Sequence, residues 1–218
     1  MKRLVVPYYS ACRIEPALSQ ISKFLDTIKP ENIAIAPWPQ YNYKPTVSFS
    51  TAHNGKSIYI KYYVSEEETK TRFTEINEPV YRDSCVEFFI SFDDNQKYYN
   101  FEFNSSGICR AGFGENRETR ELLPVNVISS IEFITSNRLS EDHYSYWDLC
   151  LSIPVTVFCH HHIINLAGKH CKANFFKCGD DLAKPHFLTW NNIIAKEPNF
   201  HLPEYFGEIS MAAESKFI

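Results

Sequence analysis

Glycine is scarce in this sequence, at 7 of 218 residues, and its nearest approach to a cluster, Gly107 to Gly114, is followed by neither a helical pattern nor a Lys-Ser/Thr pair. A phosphate-cradling loop is therefore unsupported. No GxSxG, HExxH or GxGxxG occurs, which removes the usual local signals of serine nucleophiles, zinc peptidases and dinucleotide sites. A basic excess is lacking too: 22 Lys and Arg face 26 Asp and Glu, for a net charge of −4, so neither nucleic acid nor an anionic membrane is expected as a partner. No apolar run approaches transmembrane length, and only Leu4, Val5 and Val6 separate the basic pair from Pro7, too few for a signal-peptide core. A cytoplasmic location is expected on that ground, with export by a signal upstream of this chain as the alternative. No repeat, heptad run or break in composition divides the sequence. Residues 1–218 are expected to form a single domain, with 1–37 as an N-terminal extension.

CxxC spacing is also missing. Cys12, Cys85, Cys109, Cys150, Cys159, Cys171 and Cys178 are odd in number and scattered, which argues for small reduced core residues rather than a disulfide framework or a zinc site. His160, His161 and His162 are consecutive, and three neighbours cannot converge on one ion from a strand or a helix, so an exposed turn is expected there. Aromatic side chains are what the sequence has in abundance. Its 13 Tyr, 17 Phe and 3 Trp suit strand-rich packing and flat apolar ligand platforms alike. Leu18, Ile21, Leu25 and Ile28 predict one short amphipathic helix over 16–28, closed by Lys29-Pro30. From Thr46 onward alternation takes over, beginning with a hairpin turned at Asn54-Gly55. Further strands are predicted at 84–92, 97–104, 108–113, 127–135, 144–153, 171–178, 186–190 and 206–212, and the charged stretch 65–80 reads as a long loop. Ten or so short strands with one helix define an all-β antiparallel sandwich, immunoglobulin- or jelly-roll-like.

The most telling segment is YRDSCVEFFISFDDNQKYYNFEFN, residues 81–104. Alternation puts Val86, Phe88 and Ile90 on one side of its first strand, and Tyr99, Phe101 and Phe103 on one side of its second. A four-residue turn from Asp93 to Gln96 then sets Glu87 opposite Glu102, Phe89 opposite Asn100 and Ser91 opposite Tyr98. Directly opposed side chains have Cβ atoms about 4.5–5.5 Å apart, so two ionised glutamates there need an offset. A neighbouring cation, a metal, a shared proton, open solvent or a hydroxyl-rich ligand would each supply one. The plain alternative is a solvated outer face with both carboxylates in water.

A second concentration of polar and aromatic residues lies near the C-terminus. Lys177, Asp180, His186, Trp190, Phe200, His201 and Tyr205 stand there among Pro185, Pro198 and Pro203. Rings in Pro-bounded loops at strand ends suit the apolar faces of sugars, or a loop folded over a sheet edge.

The motifs RDSCVEFFIS, YYNFEFNSSG, WDLCLSIP, KANFFKCGD, HFLTWNNI and FHLPEYFG, in that order over roughly residues 38–210, resemble the family 9 carbohydrate-binding modules, within the wider DOMON-like group of β-sandwich domains. The resemblance implies non-catalytic binding of a mono- or oligosaccharide in an aromatic cleft, linked to glycan breakdown and to a glycan-degrading enzyme as partner. It implies Tyr81 and Phe200 as the two stacking walls, each replacing a tryptophan of the family. Glu87, Glu102 and Lys177 fall on the family's polar positions, Glu102 where the family has an arginine, and Lys177 is expected to project toward the two glutamates. Trp190 and His201 are further candidates, and Arg82 and Asp83 are placed at the rim. A structural calcium ion is common in the family, although no ligand loop for one is evident here. Two other readings stay open: a glycoside hydrolase or its accessory subunit, and a protein-interaction scaffold whose sugar site has decayed.

Overall fold

The computed structural model describes residues 1–10, 16–92, 96–141 and 144–214. Its first strands are β1 (Arg3–Val6), β2 (Glu31–Asn32), β3 (Thr46–His53), β4 (Ser57–Glu66), β5 (Cys85–Ser91), β6 (Tyr98–Asn104) and β7 (Cys109–Gly114). They are followed by β8 (Glu121–Leu122), β9 (Glu132–Leu139), β10 (Ser145–Pro154), β11 (His170–Cys178), β12 (Phe187–Thr189) and β13 (Gly207–Met211). Helix α1 spans Leu18–Leu25 and the single turn α2 spans Val125–Ile128. One sheet runs β1-β13-β11-β5-β6-β7-β8, with β12 added to β11, and the other runs β2-β3-β4-β10-β9. The two form a β-sandwich, antiparallel throughout except where β1 runs parallel to β13.

Alternation decides what fills the sandwich. Val86, Phe88, Ile90, Tyr99, Phe101 and Phe103 all point into the inter-sheet core, where they meet Phe49, Tyr62, Leu149 and Leu151 of the facing sheet. Phe175 ties the layers together, its ring stacked 3.8 Å from Phe49 and 5.1 Å from Phe88, centroid to centroid. The predicted register of the central hairpin is present: Glu87 pairs with Glu102 and Phe89 with Asn100. The turn predicted from Asp93 to Gln96 includes residues 93–95, which lie outside the described residues. The β3–β4 hairpin turns at Asn54-Gly55 as predicted. Gly55 adopts φ +85°, which a side chain would strain, and the Asn54 Oδ1 accepts the N–H groups of Lys56 and Ser57.

Three details depart from the sequence reading. The strand predicted at 127–135 is a helical turn after Pro124 followed by β9, shifted to Glu132–Leu139. The loop predicted at 65–80 follows β4, but Asp83, expected at the rim, is what pins it. Asp83 is fully buried and its carboxylate accepts the N–H groups of Arg72 and Phe73 at 3.0 and 3.1 Å, as well as the Asn104 amide at 3.1 Å. Asp83 therefore anchors that loop and is not a rim residue. Nor is the outer face of the β5–β6 hairpin solvated. A second apolar layer of Trp38, Val80, Ile193, Phe200 and Phe206 covers Cys85, Phe89, Tyr98, Phe176 and Cys178.

On the opposite side of the molecule, α1 buries Ile21 and Leu25 against Ala52, Tyr59 and Cys150. Cys85, Cys109, Cys150, Cys171 and Cys178 are buried free thiols, whereas Cys159 is exposed beside the turn that carries His160. Cys12 lies outside the described residues.

Candidate functional site

The covering layer leaves a hollow of about 280 Å³ above the two glutamates. Glu87 on β5 and Glu102 on β6 form its floor, because cross-strand pairing projects both from one face. Arg110 lies directly across from Glu102 on β7, and Arg117 and Arg120 follow on the turn toward β8. Tyr81 enters from a 3₁₀ turn at Val80–Arg82, which is docked when Asp180 and Asp181 donate their N–H groups to the carbonyls of Tyr81 and Arg82. Pro198, Asn199, Phe200 and His201 close the far side from the C-terminal loop.

Burial dominates the electrostatics here. Glu87 is 3% exposed, and loss of hydration, helped by the neighbouring Glu102 charge, drives its pKa well above the usual carboxylate range. Its Oε1 takes the thiol of Cys178 at 3.1 Å. Burial likewise pushes Glu102 up to about 7, against the pull of Arg120 and Arg110. Glu102 accepts the Asn100 amide at 2.9 Å, with the Arg120 guanidinium at 3.4 Å and the Nε of Arg110 at 4.0 Å. Asp180 is raised to about 6, again chiefly by burial. His201 moves the other way: burial first, then the three arginines, hold it neutral, and its Nδ1 sits 2.9 Å from the Tyr98 hydroxyl. The opposed glutamates thus coexist through a proton on Glu87 and guanidinium groups around Glu102.

Tyr81, Glu87, Glu102, Phe200 and His201 converge on this cleft. Phe200 does so as a buried wall, since one of its faces already stacks on Phe176 at 4.3 Å. Lys177 does not converge. Phe176, not Lys177, is the β11 partner of Glu87, so Lys177 points to the opposite side, into the sandwich. There its Nζ lies 2.9 Å from Glu66 Oε2 and donates to His186 Nε2 at 2.8 Å, while Glu66 Oε1 accepts the Trp147 indole N–H at 2.7 Å. Trp190 is also outside the cleft, fully buried in the inter-sheet core with its N–H on Glu31. Arg82 is exposed, with its guanidinium 5.9 Å from the Tyr81 ring, and does not line the hollow.

The sequence reading passed over Arg110, Arg117 and Arg120. Only Arg110 left a trace, as the residue facing Glu102 once the β6–β7 hairpin is counted through. Arg117 and Arg120 lie in a turn, where no periodicity exists to place them.

One group among the described residues has the geometry to hold a metal ion: Cys85, Glu87 and Cys178, whose ligand atoms lie within 4.8 Å of one another. Calcium takes six to eight oxygen ligands, so a set with two thiols does not fit it. Burial lifts the Cys85 thiol to about 12 and that of Cys178 well above its usual value.

An antiparallel sandwich with an acid-floored cleft over the outer face of one sheet defines a binding-module class, and sequence comparison agrees. The profile of Carbohydrate-binding family 9 matches residues 20–211, so the chain belongs to that family. No curated protein matches it. Among solved structures, a candidate carbohydrate-binding protein from Bacteroides uniformis is 35% identical, with 96% of this chain and 99% of that one covered at a TM-score of 0.89. Two structures of a family 9 module from Caldicellulosiruptor kristjanssonii share the fold. One, in complex with glucose, is 14% identical over 100% of this chain and 99% of that one, with a TM-score of 0.62. The other, in complex with cellotriose, is 15% identical over 98% and 95%, with a TM-score of 0.59.

Proposed function

We propose that this chain binds the end of a carbohydrate without cleaving it, in the service of glycan breakdown. The observation that carries the reading is the cleft itself: Glu87, Glu102 and three arginines lie below and beside Tyr81 and Phe200 in a hollow of about 280 Å³. That volume is just below the roughly 300–1,000 Å³ of drug-sized ligand cavities and suits one or two sugar rings rather than the face of a polymer. Carboxyl and guanidinium groups supply acceptors and donors for hydroxyls, and Tyr81, half-buried, offers ring surface to apolar C–H groups. The family 9 modules in complex with glucose and cellotriose support the same ligand class. Hydrolysis fits less well. Glycosidase carboxyls flank the scissile bond, whereas Glu87 and Glu102 stand side by side on one floor.

The test is a fluorescence titration of the protein with a panel of mono- and disaccharides. Because Glu87 is buried, Glu87→Gln preserves its shape better than a truncation to alanine. It should weaken binding roughly tenfold, the worth of one buried hydrogen bond, with an unchanged circular dichroism spectrum. A flat response of the wild type to the whole panel refutes the proposal, as does release of product sugars on prolonged incubation.

A further inference from the structure

Three guanidinium groups on one wall are more than hydroxyl recognition needs, in a chain whose net charge is −4. Arg110 and Arg120 are held in place from behind: Arg110 donates to the Asn77 carbonyl at 2.6 Å and Arg120 to the Arg117 carbonyl at 2.8 Å. The side chain of Arg120 is only 10% exposed, and its Nε, like that of Arg110, is buried without a hydrogen-bond partner. Glu102 uses only one of these donors: its Oε1 accepts from Arg120 Nη2 at 3.4 Å, longer than the roughly 2.7–2.9 Å of a strong charge-assisted bond, and its Oε2 lies 4.0 Å from the Nε of Arg110. Arg117 is exposed where it lines the cleft.

We propose that the sugar taken by this cleft carries a carboxylate, as a uronic acid does, and that Arg110, Arg117 and Arg120 form the subsite for it. The inference rests on the carbohydrate reading above. A neutral pyranose offers hydroxyls that accept weakly and leave the positive wall uncompensated. A carboxylate presents two acceptor oxygens in the geometry of a guanidinium fork. The acids of the cleft offset only part of the three guanidinium charges at neutral pH: Asp180, at about 6, is mostly ionised and Glu102, at about 7, about half, while burial favours the neutral form of Glu87.

The experiment compares galacturonic and glucuronic acid with galactose, glucose and their 6-sulfates, by calorimetry at low and at 0.5 M salt. Uronates should bind about tenfold or more tighter than their neutral parents at low salt, with the advantage shrinking as salt rises. Arg117→Ala, at an exposed position, and Arg120→Gln, which keeps a polar amide but removes the charge, should each reduce the uronate-to-neutral ratio severalfold. Neutral sugars bound as tightly as uronates would overturn this inference and leave the carbohydrate reading standing. Failure of every sugar to bind would overturn both. Preference for the sulfates, or a ratio untouched by both substitutions, would overturn the carboxylate assignment.

Discussion

At the scale of single residues, the raised acids of the cleft floor give the pH dependence of stability a definite sign. A carboxyl whose folded pKa lies above its unfolded value contributes fully below the unfolded value and loses that contribution as pH rises through the folded one. Glu102 at about 7 and Glu87 well above its usual range therefore weaken the fold progressively on the alkaline side. Histidines act oppositely. Burial holds His186 at about 3 and His201 well below its usual value, so each costs stability only below the unfolded histidine value near 6.5. Across pH 6.5–8 the histidines of the unfolded chain, half-protonated at the lower limit, finish titrating and return only about 0.4 kcal/mol each, less than the loss from the two glutamates. The melting temperature should fall by several degrees between pH 6.5 and 8, since 1 kcal/mol shifts a protein of this size by about 2–4 °C. Glu87→Gln should flatten much of that slope. Thermal melts at the two pH values check both, and a melting temperature that rises across the window contradicts the assignment of a proton to Glu87.

Strand β11 shows how one step along an element separates a binding residue from a structural one. Phe176 faces the covering layer and Lys177 the interior, where the lysine forms a fully buried ion pair with Glu66. Breaking a buried pair from one side leaves an uncompensated charge and costs about 3–5 kcal/mol. Lys177→Met should therefore lower stability by that order in urea denaturation while leaving the sugar affinity of the folded fraction unchanged. A loss of affinity with no loss of stability would return Lys177 to the cleft.

The same contrast explains what the sequence could disclose. The Glu87–Glu102 juxtaposition was legible because a short local turn joins β5 to β6 and the apolar residues on both strands fix parity. The pairing of β5 with β11 joins residues almost ninety positions apart, with no turn to set its register, so the face of Lys177 could not be read. Strands β1, β2 and β8 span two to four residues, too short to show a period. Val127 and Ile128 open the strand predicted at 127–135 and are β-branched, as strand residues often are, yet they lie in a helical turn after Pro124 that buries Ile128. The second apolar layer was hidden for a different reason: it is assembled from loops, and it turns the expected polar outer face into a buried floor.

At the scale of the whole molecule, the cleft is bounded by segments far apart in the chain: the turn at Val80–Arg82, the β7–β8 region with its arginines, Cys178 at the end of β11 with Asp180 just beyond it, and the loop carrying Phe200 and His201. Apart from Arg110 on β7 and Cys178 at the end of β11, these pieces belong to connections rather than to the paired interior of the sheets, and local opening free energies are lowest in such regions. A ligand that bridges them stabilises only the arrangement in which all are docked. At a concentration of 100 times Kd it should add about 2.7 kcal/mol, and so raise the melting temperature by about 5–10 °C. Hydrogen exchange should slow together in residues 80–82, 115–120, 178–182 and 198–202, with little change in β3, β4 and β10 of the opposite sheet. Stabilisation without protection of these four segments would place the bound sugar elsewhere on the sandwich, and protection of only one of them would mean that the ligand rests on a wall instead of filling the hollow.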